Sequence, residues 1–82
     1  MSQTLQTALT YAGQRLLGAG IEDFRREARI LLAFVLDIDA LQVSLRLEET
    51  LNAEQSAELE ATLSSRVARV PMSHILGYRD FY

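Results

Sequence analysis

The chain is 82 residues long, enough for one small domain with a single modest core. Its composition, 49% hydrophobic and 23% charged, is that of a globular protein rather than a disordered one. A net charge of −3 argues against nucleic-acid binding, and the absence of cysteine excludes disulfides and thiolate metal sites.

A first helix is expected from its cap onward. Ser2 or Thr4 is placed to accept orphan backbone N–H bonds, and Leu5, Ala8, Leu9, Ala12 and Leu16 follow at helical spacing. Gly18 and Gly20 then stop it. A second helix is expected to start at Asp23, its carboxylate serving as the cap. Its apolar set is Phe24, Ala28, Leu31, Leu32, Val35 and Leu36, with Glu22 and Arg26 offering an i,i+4 ion pair. Being apolar around much of its second half, this helix is the expected centre of the fold.

Residues 41–47 alternate strictly, as a half-buried strand does, yet Leu41 with Leu45 and Val43 with Leu47 also sit four apart. A lone strand among helices leaves its backbone unsatisfied, so a short helix is the reading preferred. The last long helix opens on Asn52 and Gln55, the pattern of a capping box, and buries a stripe of Leu59, Leu63 and Val67. Its acids lie toward the N-terminus and Arg66 and Arg69 toward the C-terminus, as the macrodipole favours. Pro71 is expected to end it. Beyond it, residues 74–78 read as a strand, with Arg79-Asp80 as a turn.

The expected fold is therefore all-α. It is a small bundle of about four helices over residues 1–70, followed by the start of a β-hairpin linker at 71–82. That ending holds Tyr78, Phe81 and Tyr82, half of the aromatic residues of the chain. Aromatic side chains of this size need a core to enter, and none remains after them. The expectation is a continuation into a further domain.

Little in the sequence carries chemistry. His74 is the only histidine and has no carboxylate partner nearby in sequence, so a structural role outweighs a catalytic one. Gly18-Ala19-Gly20 follows a helix rather than a strand and reads as a helix stop, not a phosphate loop. Ser64 and Ser65 belong to no nucleophile arrangement. No catalytic, cofactor-binding or metal-ligating residue is assigned. Arg25, Arg26 and Arg29 form the one basic cluster and are the candidate contacts for an acidic partner, against the plainer reading of a solvated helix face. Between Asp37 and Glu60 seven acids face a single Arg46, a surface suited to a basic partner or simply to water. No run of apolar residues exceeds residues 30–36, too short to span a membrane, and residues 1–20 lack the pattern of a signal peptide. The expected location is the cytoplasm.

The ending RVPMSHILGYRDFY resembles the stretch that joins the two halves of HemK/PrmC methyltransferases, which modify a glutamine of class-one peptide chain release factors. Pro71, His74, Gly77, Asp80 and Phe81, with Ile75 and Leu76, fit the order of that hinge. REARILLAFVL resembles the second helix of the family, and LNAEQSAELEATLSSRVARVP its long helix. The resemblance implies an N-terminal substrate-recognition domain whose partners are a release factor and a following catalytic domain. That domain would bind S-adenosylmethionine and hold the substrate amide with an Asn-Pro-Pro-Tyr motif. This chain has no such motif, so the fragment itself is expected to be inactive and to carry no cofactor. Two alternatives stay open. One is a stand-alone helical module for protein interaction or oligomerisation; the other is the sibling branch that methylates a ribosomal protein glutamine. A helix-turn-helix DNA binder is disfavoured by the charge.

Overall fold

The computed structural model describes residues 3–77. Five helices follow one another among them: α1 (Leu5–Gly18), α2 (Phe24–Leu36), α3 (Ala40–Leu45), α4 (Ala53–Val67) and α5 (Met72–Leu76). No strand occurs among the described residues, only an isolated antiparallel bridge between Thr4 and Thr50. The all-α expectation holds, and of residues 41–47 the first five are helix, with residues 46 and 47 in the turn beyond it.

α2 is the centre. It packs against α1, α3 and α4, while α5 lies on α4. Ala28, Leu31, Leu32 and Val35 of α2 are buried among Leu5, Ala8, Ala12 and Leu16 of α1 and Leu59 and Leu63 of α4. Val43 is the one buried residue of α3, and Leu51 enters the core from the connection ahead of α4. Among the described residues no helix is long and apolar enough to cross a membrane.

The start of α1 shows how completely a helix end can be satisfied. Thr4 caps it, its hydroxyl accepting from the Thr7 N–H at 3.1 Å. The first two N–H groups, of Leu5 and Gln6, donate to the carbonyls of Glu49 and Leu47 at 2.8 and 3.1 Å. All of the orphan donors of the first turn thus find oxygen. The same loop is held from the other side by the Leu51 N–H on the Gln3 carbonyl.

Three helices end by one device. In each, a residue in the left-handed region is followed by an apolar one whose N–H reaches back five residues. Gly20 (φ 84) precedes Ile21, which donates to Leu16. Asp37 (φ 60) precedes Ile38, which donates to Ala33. Arg69 (φ 76) precedes Val70, which donates to Ser65. α4 therefore ends through Arg69, two residues before the proline expected to stop it. Gly18 is the last helical residue of α1, and Gly20 makes the turn.

Two further expectations are corrected. Asp23 stands at the N-cap of α2 but makes no side-chain cap bond; its backbone carbonyl accepts from Glu27. Residues 74–76 are helix rather than strand, as part of α5. The Pro71 carbonyl accepts from both His74 and Ile75, so the turn satisfies its own backbone where a single strand could not. Met72, Ile75 and Leu76 fall on one helical face, and Ile75 is buried in the core. The rest of the expected strand and turn, including Asp80 and Phe81 of the hinge pattern, lies outside the described residues.

Candidate docking surface

The three arginines of the α2 cluster line two different grooves. Arg25 and Arg29 are four residues apart and share a face, lining the groove between α1 and α2. Arg26 points a third of a turn away, into the groove shared by α2, α4 and α5. All three are exposed. The expected Glu22–Arg26 ion pair does not form.

In the α1–α2 groove the Phe24 ring packs beside Gly13 at ordinary contact distance. Gly13 is buried, and a Cβ placed there would sit 3.5 Å from the Phe24 ring. Phe24 is half-buried, and the Arg25 guanidinium lies 5.2 Å from its ring centroid. Leu17, 53% exposed, borders the same groove.

The other arginines are harder to read from sequence, because their partners are distant along the chain. Arg66 of α4 donates to both carboxylate oxygens of Glu27 on α2, at 2.8 and 3.3 Å, and to the Val70 carbonyl. Arg69 donates to the Ala19 carbonyl at 2.7 Å and so ties the end of α4 to the end of α1. Arg15 of α1 donates to Glu60 of α4 and to the Tyr11 hydroxyl, each at 2.6 Å, and Tyr11 donates to Glu60 at 2.6 Å. The Tyr11 hydroxyl first, and then Arg15, hold the Glu60 carboxyl below the usual carboxylate range. The separations of 39, 45 and 50 residues carry no local pattern from which these contacts could be foreseen.

Of the hinge residues within the described region, Pro71 is the N-cap of α5, with ψ 146. Exposed His74 borders a groove with Phe34, Thr62 and Ile75. Gly77 closes α5 in open space, where an added Cβ would meet nothing within 4 Å. The Gly18-Ala19-Gly20 segment is occupied by its own helix. The Ala19, Gly20 and Ile21 N–H groups all donate to the Leu16 and Leu17 carbonyls, leaving no donors free for a phosphate or carboxylate. Among the described residues no group of three or more His, Asp or Glu comes together to hold a metal ion.

Comparison with known proteins gives this arrangement a context. The family model of the PrmC N-terminal domain matches residues 7–77. A release factor glutamine methyltransferase of Cereibacter sphaeroides is 43% identical over 75 residues, which cover 92% of this chain and 27% of that protein. A release factor glutamine methyltransferase of Rhodospirillum rubrum is 40% identical over 68 residues, covering 83% of this chain and 21% of that protein. A bifunctional methyltransferase of Rickettsia felis is 30% identical over all 82 residues, 16% of its own length. The chain therefore spans less than a third of the length of these relatives. No solved structure matches it. By the match over nearly all of its helices, the chain belongs to the PrmC N-terminal domain family.

Proposed function

We propose that this chain is the substrate-recognition domain of a release factor glutamine methyltransferase. The observation that carries the reading is the match of residues 7–77 to the PrmC N-terminal domain, together with relatives named for that activity. In this reading the helical domain grips a class-one release factor in the cytoplasm. It thereby holds the substrate glutamine at the active site of a following catalytic domain. Such positioning replaces a chance encounter by a fixed geometry and acts on rate without touching the reacting atoms.

The residues of this chain support a division of labour. Its one glycine-rich turn has its donors committed to α1, and its sequence holds no Asn-Pro-Pro-Tyr motif. S-adenosylmethionine and the methyl transfer belong to the catalytic domain. Two ties join its helices, Arg66 on α4 to Glu27 on α2 and Arg69 after α4 to Ala19 after α1.

The test is to methylate a purified class-one release factor with the full-length enzyme and with a form lacking residues 1–70. Loss of the domain is expected to lower kcat/KM about tenfold or more. A short peptide carrying the glutamine loop should be methylated equally by both forms. Equal kcat/KM on the intact release factor would overturn the reading.

A further inference from the structure

The groove between α1 and α2 combines three features. Its apolar lining is Leu9, Leu17 and Phe24, with the Phe24 ring packed beside Gly13. Its charged lining is Arg25 and Arg29 with no acid, in a chain whose net charge is −3. Finally, these two arginines make no ion pair among the described residues, whereas Arg15 and Arg66 each hold a glutamate. Glu22 and Asp23, the acids just ahead of α2, pair with neither.

Their placement works against helix stability. Arg25 sits in the first turn of α2, at the positive end of the macrodipole, where an acid is the favoured residue. Arg25 and Arg29, four apart, repel each other along the same face. Arg25, stacked on half-buried Phe24, and Arg29 one turn on stand beside exposed Leu17 and form a surface complementary to carboxylates on an amphipathic segment.

We propose that the α1–α2 groove docks an acidic amphipathic segment of the protein substrate. An apolar side chain of that segment lies between Leu17 and Phe24, and its carboxylates meet Arg25 and Arg29. This assignment rests on the recognition role proposed above and names the face that performs it. Arg26, which lines the α2–α4–α5 groove, is outside the docking face.

The experiment is a titration of the isotopically labelled chain with a class-one release factor, followed by amide chemical shifts. It is repeated with the double variant Arg25→Glu/Arg29→Glu and with the control Arg46→Glu. Wild-type shifts should centre on Gly13, Leu17, Phe24 and Arg29, and affinity should fall as salt is raised. The double variant should bind at least about tenfold more weakly while its melting temperature stays level or rises, because an acid replaces a cation in the first turn of α2. The control should bind as the wild type does. Binding with the groove silent and the double variant unimpaired would overturn the groove assignment and leave the recognition role standing. Absence of any binding to the release factor would overturn the recognition role and the groove assignment with it. The wild-type shift map decides the location even if the double variant fails to fold.

Discussion

Tyr11, Arg15 and Glu60 show what a single exposed contact contributes and how it can be measured. The guanidinium and the phenol reach from α1 to one carboxylate on α4, and each bond favours the ionised form of Glu60. The side chains of Arg15 and Glu60 are 29% and 49% exposed, so water and salt screen much of the attraction. The sign of its pH dependence is nevertheless fixed. A carboxyl whose folded pKa lies below its unfolded one stabilises the fold above the unfolded value, near 4.5, and this is lost as pH falls through the folded pKa. Glu60→Gln is therefore expected to be less stable than the wild type at pH 7. The gap should narrow from about pH 4.5 downward and vanish once Glu60 is protonated. Urea unfolding of both proteins from pH 7 to pH 3 checks this; a gap that persists unchanged at pH 3 would contradict it.

At the scale of elements, helix boundaries were legible where a side chain does the capping and less so where the backbone does. Asn52 and Gln55 form the reciprocal capping box that their spacing announces, with bonds of 2.7 and 2.9 Å. Thr4 caps α1 as one of two candidates. Asp23 marks the right boundary for a reason its residue type did not give, since its carboxylate makes no cap bond. The strand expected near the C-terminus failed on the same logic that rescued residues 41–47. Periodicity cannot separate a short apolar helix from a strand, and the deciding question is where the backbone hydrogen bonds go. At residues 72–76 they close on Pro71. The groove between α1 and α2 was visible only in part: the arginines could be named, but their division between two grooves needed the packing.

The left-handed helix ends yield a prediction at this scale. Gly20 holds φ 84 to let Ile21 turn back into the core, a geometry that costs an L-residue roughly 1–2 kcal/mol. Gly20→Ala should lose about 1 kcal/mol, part of the strain being offset by the lower entropy of the unfolded alanine chain. Space is not the obstacle, since the nearest atom to an added Cβ is an Arg69 nitrogen at 3.7 Å. Chemical denaturation that shows no loss would mean that the loop relaxes out of the left-handed region.

For the whole molecule, size sets how much any one core residue matters. A chain of 82 residues buries only about 60% of its unfolded surface, and total stabilities of domains lie at about 5–15 kcal/mol. The leucines divide sharply between the two environments that result. Leu31 is fully buried at the centre of α2, where α1 and α4 pack on it, whereas Leu41 and Leu45 of α3 are each 72% exposed. The same substitution thus separates burial from helix propensity, since leucine and alanine differ little in the latter. Leu31→Ala should cost about 3 kcal/mol, from lost transfer energy and the cavity left behind. Leu41→Ala should stay within about 0.5 kcal/mol of the wild type. Because the core is single and shared by α1, α2 and α4, the loss at Leu31 should appear as one cooperative shift of the urea midpoint with an unchanged slope. A change of slope, or a first transition confined to one helix, would mean that the helices unfold separately and that the domain does not hold its faces as one rigid unit.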